Sequence, residues 1–173
     1  MILRMLSIKA DRDALIIDAT LSKCISTPLV QKGHFRQEIG RTKGGLTSKI
    51  HAVVDALGNP LRIFLTAGNV NDTVPAGELL ADLSADKLLA DRAYDSNAVL
   101  EQARQQKMEV VIPSRKCRRH QREYDAHVYR ERHLVECFFA KLKSFRRIAT
   151  RYDKLAVTFR ANVMLAACLI WLQ

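Results

Sequence analysis

Cysteine is scarce in this sequence of 173 residues, and its four copies are scattered. No two of them form the Cys-x-x-Cys pair that zinc ribbons use, and their spacing suits no disulfide framework: Cys24, Cys117, Cys137 and Cys168. We expect reduced, mostly structural thiols. Tight metal-ligand spacing is also missing among the histidines, which disfavours a zinc site: His34, His51, His120, His127 and His133.

Long apolar runs are missing as well. The C-terminal stretch VMLAACLIWL has ten residues, whereas a helix needs about twenty to cross a bilayer, so we expect a core helix and no membrane partner. The first residues, MILRMLSIKADRD, combine a short apolar run with no small-residue cleavage site and predict no secretory signal. Without repeats or low-complexity tracts, the sequence indicates one cytoplasmic domain over residues 1–173, large enough to bury a core unaided.

Positive charge is in excess and concentrated in one segment. The chain carries 28 Lys and Arg residues against 18 acids, a net charge of +10. Residues 114–154 hold thirteen of the basic residues and five acids, and so contribute +8 of that charge. Basic surfaces bind polyanions because neutralising phosphates releases condensed counterions. A solvated basic face is the alternative, but the clustering favours a nucleic acid partner.

Short apolar runs predict the strands. ALIIDAT, at residues 14–20, is typical of a buried strand whose terminal side chains emerge at the edge of the sheet. TSKIHAVVDALGNPLRIFLTAG predicts a hairpin that turns at Gly58 and Asn59. KLLAD and MEVVIP predict two more strands, which gives an α/β mixed sheet of about five strands flanked by helices.

Helical spacing and capping residues predict the helices. One begins near Thr73, a second lies in RAYDSNAVLEQARQQ behind a cap at Asp95 or Ser96, and two more cover about 126–145 and 154–172. Residues 21–45 and the basic stretch SRKCRRHQREYD show no period and are predicted to be loops.

Glu136 is an isolated acid in a basic and apolar stretch, YRERHLVECFFAKLK, at residues 129–143. At about 100° per residue, four polar side chains share one face of a helix there: Tyr129, Arg132, Glu136 and Lys143. An apolar arc lies beside them, so the helix can bury one stripe while the polar stripe borders a groove. The alternative is an ordinary surface pair between Arg132 and Glu136, worth about 0.3–0.5 kcal/mol.

Two other acids, Asp18 and Asp91, each follow apolar strand residues, where a sheet presents side chains to a crevice. Each alone is as often a turn or cap residue. With Glu136 they predict an oxygen-rich site for hard cations such as Mg²⁺. Two such ions suit phosphodiester cleavage, and Arg132 and Lys143 would then clamp the phosphates of the strand being cut.

Weaker candidates have simpler interpretations. Asp55 is predicted to be a turn residue, and Asp72 and Asp95 helix caps. Lys43, in RTKGG, is typical of a phosphate-contacting loop, but no nucleotide-binding fingerprint accompanies it.

The spacing Tyr129-x2-Arg132-x3-Glu136-x6-Lys143 resembles the Y-R-E-K signature of bacterial insertion-sequence transposases. Several segments in the same order are similar to the insertion-sequence 5 family, over nearly the whole chain: IIDAT, GRTKGGLTSKIHAVVDALGNP, LLADRAYD, REYD and IATRYDKL. Relatives often have Gly where this chain has Ala93. The first acid already stands at position 18, so the resemblance also implies that the usual N-terminal DNA-recognition region is missing.

The resemblance implies a ribonuclease-H-like fold and one DDE catalytic domain over residues 1–173. Asp18, Asp91 and Glu136 would be the triad, holding two Mg²⁺ ions for which Mn²⁺ can substitute. DNA would be cut at the element's ends and joined to a target by a homodimer or higher oligomer on the bacterial nucleoid. The implied DNA-binding residues are Tyr129, Arg132, Lys143, Lys43, Arg146 and Arg147. The alternative is a truncated, non-catalytic DNA-binding remnant that modulates a full-length enzyme.

Overall fold

A seven-stranded mixed sheet forms the centre of the structure, a computed structural model that describes residues 2–25 and 37–173. The strand order is β2-β3-β1-β5-β6, with β4 paired to β3 and β7 paired to β1. β1 runs antiparallel to β3 and parallel to β5 and β7. The strands are β1 (Ala14–Cys24), β2 (Gly40–Thr42), β3 (Gly45–Val54), β4 (Pro60–Ala67), β5 (Lys87–Ala90), β6 (Glu109–Val111) and β7 (Thr150–Arg151).

The five strands expected from sequence are all present, and the two additional ones are short. β2 and β7 have three and two residues, too few to produce a periodic pattern. β1 is longer than expected, because its pairing with β3 continues to Lys23 opposite Thr47. Asp18 therefore lies inside the strand and not near its end. The predicted loop 21–45 contains strand residues at both ends. Its residues 26–36, which include His34, lie outside the described ranges.

Helices cover both faces of the sheet: α1 (Ile2–Leu6), α2 (Ala76–Leu80), α3 (Asn97–Gln105), α4 (Ala126–Tyr129), α5 (His133–Ser144), α6 (Arg146–Ala149) and α7 (Ala156–Trp171). Three of the four predicted helices are found near the expected bounds, as α3, as α4 with α5, and as α7. The fourth, α2, begins three residues after Thr73. Asn71 Oδ1 accepts hydrogen bonds from the N–H and hydroxyl of Thr73, which holds that residue in a turn before the helix. No helix in the described ranges combines the length and apolarity that crossing a membrane requires.

The alternation of β1 divides the core into two layers. Ala14 and Ile16 face one cluster, which contains Phe138, Leu142, Phe159 and other residues of α5 and α7. Leu15 and Ile17 face the other, which α2 and α3 cover. Both layers are fully buried near the middle of the sheet, which explains why the β1 sequence is a continuous apolar run.

Among the titratable side chains that the fold buries is His51 on β3, which is 0% exposed. Its Nε2 lies 2.8 Å from Thr66 Oγ1. Burial lowers the pKa of His51 to about 4, with Asp72 opposing this shift and Lys49 adding to it. The imidazole is therefore neutral in the folded protein at neutral pH.

Acid should destabilise the fold through His51. The unfolded chain takes up this proton near pH 6.5 and the folded chain only near pH 4, so stability falls as the pH decreases through that window. We expect a loss of about 2 kcal/mol by about pH 5. Urea unfolding at about pH 7.5 and 5 measures it, with His51→Gln as the comparison because its amide does not titrate. Equal losses in both proteins would contradict the assignment.

Candidate active site

The sheet brings Asp18 and Asp91 to the same place. β1 and β5 are parallel, with Ile17 opposite Ala90, and each acid is the next residue along the chain. Asp91 directly follows β5 and caps a 3-10 helix, Arg92–Tyr94, by accepting a 2.7 Å hydrogen bond from the Ala93 N–H. The replacement of Gly by Ala at 93 therefore leaves this contact intact.

Glu136 reaches the same region from α5. The helix packs on the sheet through its apolar stripe: Val135, Phe138, Phe139 and Leu142. This docking leaves Glu136 on the exposed border of the helix, with 55% of its side chain accessible. A turn of 3-10 helix, Arg130–Arg132, joins α4 to α5, so the polar stripe predicted from helical spacing forms across nearly continuous helix.

Arg132 links the acids of the sheet and the helix. Its Nη1 donates a 2.8 Å hydrogen bond to Asp18 Oδ2, across 114 positions of the chain, and its Nη2 donates to Glu136 Oε1. The expected surface pair with Glu136 thus exists, but Arg132 also serves the strand acid. Its guanidinium lies 6.0 Å from the ring centroid of Tyr129, within range of a cation–π contact.

Burial and neighbouring charges together set the ionisation of Asp18. The pKa of Asp18 is raised to about 6, with burial as the main cause. The Ala19 N–H and the Arg132 charge oppose the shift, and the negative charges of Asp91 and Glu136 add to it. Like charges raise a carboxyl pKa only over short distances, so this site concentrates negative charge.

The predicted DNA-binding residues divide into two groups. Tyr129 and Arg132 are part of the carboxylate cluster, and Lys143 lies seven residues beyond Glu136, or about 10 Å along α5. Burial lowers the pKa of Lys143. The other three are exposed and lie near the far end of β1: Lys43, Arg146 and Arg147.

Two contacts place that second group. Thr47, near the β2–β3 turn that carries Lys43, pairs with Lys23, and Ser22 Oγ donates a 2.7 Å hydrogen bond to the Ile148 carbonyl beside Arg147. Five residues of extended strand, about 17 Å, separate Lys23 from Asp18. These three cations therefore do not contact the acids.

The other acids have structural roles, two of them unexpected. Asp55 accepts hydrogen bonds from the Leu57 and Asn59 N–H groups at 3.0 and 2.8 Å, which confirms the turn. Asp72 is not a helix cap but pairs with Lys49 at 2.8 Å. Asp95 is not one either, because Ser96 caps α3, and Asp95 binds two arginines instead.

Asp95 has a structural role that the sequence did not predict. Its side chain is 0% exposed and accepts hydrogen bonds from Arg118 Nε at 2.6 Å, Arg122 Nη2 at 3.0 Å and the Arg115 N–H at 2.7 Å. Burial opposes its ionisation, but these three donors outweigh that effect and hold the pKa of Asp95 below its usual value. No local pattern could have shown this, because the arginines lie 23 and 27 positions away.

Residues 9–171 match the family described as Transposase DDE domain. This chain belongs to that family. Among curated relatives of this DDE transposase, a putative transposase for insertion sequence element IS6501 from Brucella ovis is 42% identical over 130 residues, which is 74% of this chain and the whole of the relative. A putative transposase for insertion sequence element IS402 from Burkholderia cepacia is 33% identical over 135 residues, covering 71% of this chain and 62% of the relative.

A solved structure shows the same fold. The piggyBac transposase, seen in a synaptic complex with hairpin DNA, superposes with a TM-score of 0.57 at 13% sequence identity. The match covers 92% of this transposase and 46% of the piggyBac chain. At that identity the likeness concerns architecture alone, and it confirms the predicted ribonuclease-H-like sheet flanked by helices.

Three carboxylates are a suitable donor set for hard divalent cations, which DDE transposases generally use. As the side chains stand, no three acidic, His or Cys residues in the described ranges form a ready ligand group. Arg132 lies between two of the acids, where it donates hydrogen bonds to Asp18 and Glu136. The residue types fit a divalent cation.

Proposed function

We propose that this chain is the catalytic domain of an insertion-sequence transposase, which cuts DNA at the ends of the element and joins it to target DNA. The observation that carries the proposal is the position of Asp18 and Asp91 directly after paired strand residues, with Arg132 joining Asp18 to Glu136, in a chain of the DDE family. The net charge of +10 and the basic segment 114–154 support DNA as the substrate.

In this proposal the triad residues would hold two Mg²⁺ ions, with Mn²⁺ as a substitute. The ions would supply activation of the attacking water or 3′ hydroxyl and stabilisation of the leaving oxygen. Asp18 and Asp91 contribute the fixed side of the site, since adjacent strands carry them. Arg132 and Lys143 bind phosphates of the cleaved strand, and Tyr129 orients the Arg132 guanidinium through its ring.

Arg132 has two states in this mechanism. In one, seen in the structure, it donates hydrogen bonds to Asp18 and Glu136. A phosphate offers the same bidentate acceptor geometry as a carboxylate, so an arriving strand can draw the guanidinium away from the acids. The site would then open to cations when substrate is present.

Several finer assignments belong to the same proposal. We place the chain in the insertion-sequence 5 group, with Tyr129, Arg132, Glu136 and Lys143 as its Y-R-E-K residues. Residues 1–173 would form one catalytic domain that acts as a homodimer or higher oligomer on nucleoid DNA in the bacterial cytoplasm. Lys43, Arg146 and Arg147, about 17 Å or more along β1 from the acids, would hold DNA that flanks the cut.

A supercoiled-plasmid assay tests the proposal. The purified chain should convert supercoiled plasmid to the nicked form with Mg²⁺ or Mn²⁺, and chelation by EDTA should abolish the conversion. Plasmids with and without the element's terminal sequence separate end-specific from general nicking. A well-folded protein that binds DNA but never nicks it would favour the alternative, a DNA-binding remnant.

A further inference from the structure

The loop Arg115–Arg122 contains five Lys and Arg residues in eight positions, with neither helix nor strand. A run of like charges of this density normally repels itself and stays solvated. Here buried Asp95 binds the loop at three points, through Arg118, Arg122 and the Arg115 N–H. The loop is therefore anchored to the protein body by its own cations.

Hydrogen bonds within the loop fix its shape. The Arg122 N–H donates to Ser114 Oγ at 2.8 Å, which closes the ends of the loop on each other. Gln121 Nε2 donates to the carbonyls of Arg115 and Arg118 at 3.2 and 3.0 Å, which ties the middle of the loop together. Such a network fixes the backbone from which the exposed side chains project.

The loop also lies beside the proposed active site. Arg115 donates through its guanidinium to the carbonyls of Arg92 and Ala93, the 3-10 turn that Asp91 caps. On the other side, the Tyr124 ring, just beyond the loop, contacts that of Tyr129 at 5.4 Å between centroids, and Tyr129 in turn contacts Arg132. The loop is thus connected to the acids of both the sheet and the helix.

The cations of the loop have divided roles. Arg118 and Arg122 share the charge of Asp95. Lys116 and Arg119 are exposed and make no hydrogen bond or ion pair with any residue in ranges 2–25 and 37–173. A loop backbone fixed in advance reduces the entropy lost when such side chains bind a partner.

We propose that the loop Arg115–Arg122 is a second DNA-contacting surface, on which Lys116 and Arg119 bind backbone phosphates of the duplex beside the cleavage site. This inference rests on the proposed function, since it assumes that DNA reaches the acids. The contacts are sequence-independent, because the two side chains present only positive charge to the phosphates. Arg118 and Arg122 position the loop and do not bind DNA.

A salt titration of DNA binding tests the assignment. The double variant Lys116→Gln/Arg119→Gln is compared with Arg104→Gln/Lys107→Gln, which removes the same charge from an exposed region. Lys107 lies two residues before β6 and Asp91 directly follows the parallel strand β5, so the control residues lie towards the opposite ends of these strands. Kd is measured by fluorescence anisotropy at salt concentrations from about 50 to 200 mM. The labelled duplex has about thirty base pairs, which is long enough to cover several phosphate contacts.

The loop variant should bind about tenfold more weakly at about 0.1 M salt, and its log–log salt slope should be shallower by about 1.8, the effect of two lost phosphate contacts. The control should keep the wild-type slope, and circular dichroism should show both variants folded. Wild-type affinity and slope in the loop variant, while the wild type binds and nicks DNA, would overturn this inference and leave the proposed function standing. If the wild type bound no DNA, both would fall.

Discussion

Asp91→Asn and Glu136→Gln should each reduce metal-dependent plasmid nicking by about a thousandfold or more, because in the proposed mechanism each removes a charged metal ligand and nearly preserves side-chain shape. Neither should harm folding. Asp91 keeps an oxygen to cap the 3-10 turn as Asn, and Glu136 is more than half exposed. The measurement is the initial rate of nicking with Mg²⁺ at matched DNA occupancy.

The matched control for these variants is Glu131→Gln. Glu131 is an exposed acid one residue before Arg132, so the change removes the same charge from the same helical region. Its nicking rate should remain within about twofold of wild type, as expected for a surface change outside the site. Wild-type rates in both Asp91→Asn and Glu136→Gln would refute the triad even in a chain of this family.

Asp95→Asn should lower the free energy of unfolding by about 2–3 kcal/mol. The substitution removes a fully buried charge that three donors satisfy, and it leaves Arg118 and Arg122 without a counter-ion. The Arg118 and Arg122 side chains are 28% and 26% exposed, so water partly solvates the unpaired charges. We therefore expect a smaller loss of stability than for a wholly buried ion pair. Because the pKa of Asp95 is depressed, this stabilisation is complete above about pH 4 and is lost as pH falls through the folded pKa.

Urea unfolding at neutral pH measures the change, with Glu123→Gln as the control. Glu123 is an exposed acid close to the same loop, and its neutralisation should change stability by less than about 0.5 kcal/mol. Limited trypsin digestion gives a second readout, since loss of the anchor should expose the bonds after residues 115–122 to faster cleavage. An Asp95→Asn protein as stable and as resistant as Glu123→Gln would show that the loop needs no anchor.

Local sequence patterns were sufficient for much of the candidate site. Period-two and continuous apolar runs located five strands, and two of these led directly to Asp18 and Asp91. Helical spacing placed Tyr129, Arg132 and Glu136 on one polar face beside a buried stripe, because that face is set by local geometry over consecutive helical segments.

Long-range partners could not be predicted in the same way. The contact of Arg132 with Asp18 and those of Asp95 with Arg118 and Arg122 depend on how the elements pack. Asp72 and Asp95 both precede helices closely enough to suggest caps. Each instead forms a salt bridge with a basic residue distant in sequence, Asp72 with Lys49 and Asp95 with Arg118. Tertiary packing outweighed a local preference worth about 1 kcal/mol.

Two of the three acids are positioned by the sheet and the third by a helix, so the position of the third can change relative to the other two. Asp18 and Asp91 belong to strands tied by backbone hydrogen bonds, so their separation is stiff. Glu136 belongs to a helix that packs on the sheet through side chains such as Val135 and Phe138, and helices packed in that manner can shift by about an ångström or two. In the proposed mechanism, a small shear of α5 would move Glu136 while Asp18 and Asp91 stay fixed, so that one rigid sheet would serve successive geometries of a phosphate undergoing displacement.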